Sequence, residues 1–252
     1  QSAKFVMRSI ICLTETHIAY KDCGLFRHLR YNLGVCSSQT RSTWRVAILV
    51  KKRCYYKVGQ TKADPAGRGG MVQLEMWGQL LSICTVYGPN VDETSMYYNL
   101  SLELAEWAGI LIVLGDFNCV MDYSLDSTNR WYTCRMSRVP RAIRDLIEVL
   151  GLVDTWRYLK KDTPGYTSYS TLHKQYSRIN MIFMPPEICA DSHISLCPKI
   201  TSDHNRIYID IKMDYIFSSG DVRRTFPSIL LTNTDYKMWM ASSLTEFIDV
   251  NH

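Results

Sequence analysis

An acid and an amide stand two residues apart where an apolar run ends: Asp116 and Asn118 in Leu-Ile-Val-Leu-Gly-Asp-Phe-Asn. In extended backbone, residues i and i+2 point the same way, so carboxylate and amide would face one site. The carboxylate could serve there as a base or a metal ligand, with the amide orienting what it acts on. A second pairing, Asp203 and His204 in Thr-Ser-Asp-His, sets an acid beside an imidazole. That pairing suits phosphoryl transfer: the acid binds metal, and the imidazole hydrogen-bonds the phosphate or its developing charge. Glu15 follows a strand-like run in Leu-Thr-Glu-Thr-His, where a carboxylate is placed to hold a hard cation such as Mg²⁺. Tyr87 ends another run in Val-Tyr-Gly-Pro-Asn; Gly88 and Pro89 force a turn there, and the hydroxyl can donate to a phosphate oxygen. Arg178 and Asn180 open a further strand in Ser-Arg-Ile-Asn, downstream of the hydroxyl-rich Gly-Tyr-Thr-Ser-Tyr-Ser that holds Thr167. Taken singly, each has a plain structural reading. Glu15 is equally a solvated loop residue, Tyr87 a capping aromatic, Asp116 and Asn118 a common turn, and Asp203 with His204 a surface pair.

Short apolar runs bounded by turn residues must position these groups. The pattern predicts strands at Ser9–Leu13, Arg45–Val50, Met71–Met76, Leu80–Tyr87, Gly109–Leu114, Ile179–Met184 and Arg206–Ile211. Leu80–Tyr87 and Gly109–Leu114 are apolar on both faces, as in strands buried inside a layered fold. Trp77-Gly78 reads as a hairpin turn. Helical spacing marks Thr94–Ala108 and Pro140–Leu150, the second opened by its proline and stopped by Gly151. Thr61–Gly70 and Asp122–Ser137 read as loops. The alternation of strands and helices gives an α/β or α+β fold.

The 252-residue chain is long enough for one large domain. Its apolar share of 46% and charged share of 21% are ordinary for a globular protein and exclude bulk disorder. A net charge of +5 is compatible with a polyanionic partner without requiring one. The nine cysteines include no C-x-x-C pair, and most lie in apolar runs, which points to reduced thiols rather than a disulfide framework or a zinc site. No apolar stretch approaches the roughly 18–20 residues of a membrane span, and no secretory signal is visible. A nuclear or cytoplasmic, non-secreted protein is expected.

In sequence order, Thr-Glu-Thr-His, Val-Tyr-Gly-Pro-Asn, Gly-Asp-Phe-Asn, Tyr-Thr-Ser-Tyr-Ser, Ser-Arg-Ile-Asn and Ser-Asp-His resemble the endonuclease/exonuclease/phosphatase family. The resemblance runs from about Ser9 to Ile211. Asp-Thr-Trp-Arg at 154–157 looks most like the branch carried by LINE-type retrotransposons, as do Leu230, Leu231 and Trp239 in the tail. It implies a four-layer sandwich, two mixed β-sheets face to face with helices outside. It implies a DNA-nicking endonuclease using Mg²⁺ or Mn²⁺. Residues 1–213 would form that domain, and residues 214–252 a linker toward a downstream reverse transcriptase. By resemblance, Glu15 and Asp203 hold the metal, and Asp116 activates the attacking water, oriented by Asn118. Tyr87 contacts the phosphate, and His204 stabilises its charge. Thr167, Ser202 and Arg178 lie at the phosphate or behind it.

Two departures from the family pattern stand out. The family's first strand, which brings an asparagine to the site, has no counterpart before Glu15, so an open sheet edge is expected. Asn180 replaces the aspartate that orients the histidine; it can hydrogen-bond but carries no charge, and it could select the wrong tautomer. Together they predict weakened or lost activity. Two other readings stand beside the nicking enzyme: a degenerate, non-catalytic module that at most binds nucleic acid, and a phosphatase of the same fold.

Overall fold

The computed structural model describes residues 9–16, 30–38, 45–76, 78–129, 137–198 and 204–212, with Met238. The motifs hang on one six-stranded sheet. Its strands are β4 (Tyr56–Ala63), β5 (Gly69–Met76), β6 (Gln79–Tyr87), β7 (Ile110–Asp116), β8 (Val153–Asp154) and β11 (Asn180–Met184). They lie in the order β4-β5-β6-β7-β11-β8. β6 and β7 pair in parallel and every other neighbour is antiparallel, so the sheet is mixed. The two runs that are apolar on both faces, β6 and β7, occupy its centre, as their composition demands.

Alternate residues of β7 serve different cores. Leu111 and Val113 face one side, where they meet Tyr97, Leu100 and Leu104 of α1 (Ser95–Ala105) and Ile143 and Leu146 of α3 (Val139–Val149). Ile110, Ile112 and Leu114 face the other side. There two smaller sheets lie. One has the order β1-β3-β2, from β1 (Ile10–Thr14), β2 (Tyr31–Ser38) and β3 (Arg45–Lys51). The other pairs β12 (His193–Cys197) with β13 (Arg206–Asp210). Ile110 and Leu114 touch the apolar clusters beneath both. A hairpin of β9 (Ser168–Ser170) and β10 (Gln175–Ser177) and three short helices, α2 (Tyr123–Asp126), α4 (Thr155–Leu159) and α5 (Pro186–Cys189), complete the described elements.

The architecture is the expected sandwich of two sheet layers with outer helices. Among the described residues β1 pairs with β3 alone, and the β12–β13 pair forms a separate sheet. The expected loop at Thr61–Gly70 is corrected: β4 runs to Ala63 and β5 starts at Gly69, leaving only 64–68 as the turn. β4 escapes the hydrophobic pattern because it is an edge strand, with every residue after Tyr56 exposed. Asp122–Ser137 is likewise not all loop: Asp122 accepts from the Ser124 N–H and caps the short α2. No disulfide joins any two of the seven described cysteines. No helix among the described residues is long and apolar enough to cross a membrane.

Candidate functional site

Strand register builds the site. In the parallel β6–β7 pair Tyr87 lies opposite Asp116, and in the antiparallel β7–β11 pair Asp116 lies opposite Asn180. Three motifs far apart in sequence thus form one row across the sheet at the strand ends. β7 reaches this row only because Gly115 carries no side chain. It adopts φ +145°, and a Cβ there would run into the Val86 backbone. Gly88, next along, packs against the Phe117 carbonyl just as tightly, and its N–H donates to the Asp116 carbonyl at 2.6 Å.

Asp116 is 1% exposed. Its Oδ1 accepts from the Asn118 N–H at 2.9 Å, which turns the chain sharply after the strand. Asn118 takes the left-handed conformation, φ 49°, and its Nδ2 donates to the Gly88 carbonyl at 2.8 Å. Glu15, just past β1, is also left-handed at φ 54°. Two of the three described non-glycine residues with positive φ therefore sit here, where such strain commonly accompanies function. The Tyr87 hydroxyl donates to Glu15 Oε1 at 2.6 Å, joining the small sheet to the large one. Burial, and then the Glu15 hydrogen bond, push the Tyr87 hydroxyl up to about 12, so it remains a donor at neutral pH.

His204 arrives from the other small sheet, anchored by a bridge between its backbone and Ser168. Its Nδ1 lies 2.9 Å from Asn180 Oδ1 and 3.6 Å from Asp116 Oδ2. An amide oxygen accepts, so Nδ1 is the donor in this contact. Thr167 is fully buried behind this pair. Its Oγ1 accepts from the Ile179 and Asn180 N–H groups, both at 3.0 Å, and its carbonyl accepts from the Asn205 N–H at 2.7 Å. Thr167 thus ties Asn180 to the His204 segment and has no free face for a phosphate.

The structure brings together Glu15, Tyr87, Asp116, Asn118, Asn180 and His204. Ser202 and Asp203 lie outside the described residues, as do Leu230, Leu231 and Trp239. Arg178, expected at the phosphate or behind it, has a side chain that is 0% exposed and clamped by Asp126 and Asp154. Burial opposes its charge, but the two carboxylates hold it more firmly protonated than an ordinary arginine. Asp126 carries no signal in the sequence, because it falls in the polar stretch 122–137 that reads as loop. Asp154 left one signal, the capping pattern of Asp-Thr-Trp-Arg.

The donor set can be weighed against a divalent cation. Among the described residues no three His, Cys, Asp or Glu side chains cluster to cage a metal. Mg²⁺ needs no such cage, since it binds through one or two carboxylates together with waters and substrate phosphates. Glu15 supplies one carboxylate, with Oε1 fixed by Tyr87, so the residues present fit a hard cation held jointly with substrate.

Solved structures share this arrangement of sheets and helices. An AP endonuclease from Archaeoglobus fulgidus matches with TM-score 0.64 at 18% identity, over 82% of this chain and 89% of its own. A 3′-5′ exonuclease from Neisseria meningitidis matches with TM-score 0.61 at 18% identity, over 82% and 90%. The chain has the endonuclease/exonuclease/phosphatase fold. A 3′ phosphatase from Neisseria bound to a product DNA hairpin aligns with the same fold, with TM-score 0.60 at 17% identity over 84% of this chain and 91% of that one. No family profile matches the sequence. One curated relative, the "Transposon TX1 uncharacterized 149 kDa protein" of Xenopus laevis, is 29% identical over 137 residues. That match covers 51% of this chain and 10% of the relative, so this chain corresponds to a small part of it. Endonuclease/exonuclease/phosphatase architecture thus joins a transposon likeness in one chain.

Proposed function

We propose that this chain is a DNA-nicking endonuclease domain of retrotransposon type, hydrolysing phosphodiester bonds with Mg²⁺ or Mn²⁺. The observation that carries the reading is the row Tyr87–Asp116–Asn180, completed by His204 and Glu15 from the two small sheets. The transposon likeness and the DNA-bound structural neighbour favour DNA over a small phosphoester.

In this mechanism Asp116 takes a proton from the attacking water, its carboxylate held by the Asn118 N–H. The Asn118 amide, fixed on the Gly88 carbonyl, orients that water. Tyr87 donates to a phosphate oxygen once substrate displaces or shares its contact with Glu15. His204, with Nδ1 on Asn180, turns Nε2 to the phosphate and stabilises the charge that builds there. Glu15, with Asp203, would hold the cation, which when bound supplies Lewis-acid stabilisation of the phosphate. A downstream reverse transcriptase in a longer parent chain belongs to the same proposal.

The test is nicking of supercoiled plasmid, with a chelator control and Asp116→Ala. Open-circular product that requires both the metal and Asp116 is the expected result. Cleavage unaffected by Asp116→Ala overturns the assignment. Salt-sensitive DNA binding without cleavage, from folded protein, identifies a non-catalytic module instead.

A further inference from the structure

We infer that Arg178, clamped between Asp126 and Asp154, is a positioning residue that sets the Asn180–His204 contact. The inference rests on the phosphodiesterase reading above and adds a residue that touches no substrate. Arg178 meets each carboxylate twice. Nε and Nη2 donate to Asp126 Oδ1 and Oδ2 at 2.7 and 2.8 Å. Nη1 and Nη2 donate to Asp154 Oδ1 and Oδ2 at 3.1 and 2.6 Å. Only a planar guanidinium offers this double fork; a lysine ammonium does not. Arg157 closes the set from the side, bonding Asp126 and the carbonyls of Lys161 and Thr163. Two acids and two arginines balance in charge.

A buried ion network of this kind is poor evidence for stability, because well-packed apolar residues often serve as well. What this one does is join segments. Asp126 ends the turn that follows Asn118, and its carbonyl accepts from the Arg178 N–H at 2.8 Å. Asp154 caps α4, accepting from the Trp156 and Arg157 N–H groups. Arg178 stands two residues before Asn180. Past it along the backbone, the Ile179 and Asn180 N–H groups donate to Thr167 Oγ1, and the Thr167 carbonyl accepts from the Asn205 N–H, beside His204. The backbone that Arg178 holds thus carries Asn180 into its 2.9 Å contact with His204. The Asp-Thr-Trp-Arg motif thus acts behind the site.

The experiment compares Arg178→Met with the double variant Asp154→Asn/Arg178→Met, which removes one charge of each sign and leaves Asp126 paired with Arg157. Arg178→Met leaves Asp154 short of its partner and is expected to lose both thermal stability and turnover. The double variant is expected to recover much of the stability while kcat stays down about 100-fold with KM little changed, the cost of misplacing a reacting group by about 1 Å. Arg178→Lys is expected to fall with Arg178→Met in kcat. A readout without turnover accompanies these: nitrogen NMR of the His204 ring in metal-free protein, where the Nδ1 proton bonded to Asn180 is expected to be protected in the wild type and lost in all variants. If kcat returns with stability in the double variant, or the His204 signal is unchanged, Arg178 is structural only and the inference fails. A wild type that binds but never nicks would overturn the function proposed above, and the His204 signal would still decide the role of Arg178.

Discussion

Asn180 gives His204 Nδ1 an acceptor without a charge, and Asp116 Oδ2 lies 3.6 Å from that nitrogen. The amide accepts from Nδ1 as a carboxylate would, but adds no charge to stabilise an imidazolium. Asn180→Asp is therefore expected to raise kcat by roughly 10- to 100-fold with KM little changed, and Asn180→Leu to lower it by a similar factor. Steady-state nicking kinetics check both; an unchanged rate in Asn180→Asp would mean that Asp116 already supplies the charge. Tyr87 yields a pH prediction. Its ordinary value is 10.0, and burial together with Glu15 raises it to about 12 in the folded chain. Because the neutral form is favoured on folding, the associated stability is whole below about pH 10 and drains away as pH rises toward 12. An ultraviolet absorbance titration of wild type minus Tyr87→Phe should place the midpoint near 12, and a midpoint at 10 would mean that neither the burial of Tyr87 nor its Glu15 contact holds in solution.

Strand ends set the site, and their precision depends on backbone as much as on side chains. At Gly115 the left-handed φ of +145° and the approach of Val86 leave no room for Cβ. Gly115→Ala is expected to destabilise the domain by roughly 3 kcal/mol or more, since strained φ and a backbone clash add. Denaturant unfolding measures this, and a loss below about 1 kcal/mol, the ordinary scale for a point change, would show that β7 can shift away from β6. These central elements were readable from sequence because burial on both faces makes their composition uniform: Leu81, Ile83, Leu111 and Val113 are all within a few percent of full burial. The edge of the same sheet was not readable. In β4, Val58 is 50% exposed and its neighbours are polar, so no periodic contrast marks the strand. Length hid others: β8 and β10 have two and three residues, too few for any period to register.

Across the whole molecule, the site lies where two small sheets meet one large one, so no local stretch contains it. Glu15 comes with β1, His204 precedes β13, and Tyr87, Asp116 and Asn180 come from the large sheet. Motif order gave the participants, because each chemical group sits at the end of an element and such ends carry recognisable turn residues. It left Thr167 and Arg178 either at a phosphate or behind it, because a hydroxyl or guanidinium can serve in both places until burial is known; both are 0% exposed. With Arg178 and Arg157 paired to Asp126 and Asp154, those four charges cancel internally, and a net +5 must be carried by the remaining groups. That excess is available to a polyanion. Binding of a short DNA duplex in chelator is therefore expected to weaken by about 100-fold between roughly 50 and 200 mM salt, the response for a footprint of about four phosphates. Fluorescence anisotropy measures it directly. A flat response would mean that the positive surface does not meet phosphates, and the substrate would have to be sought among small phosphoesters, whose recognition inside the cleft releases few counterions.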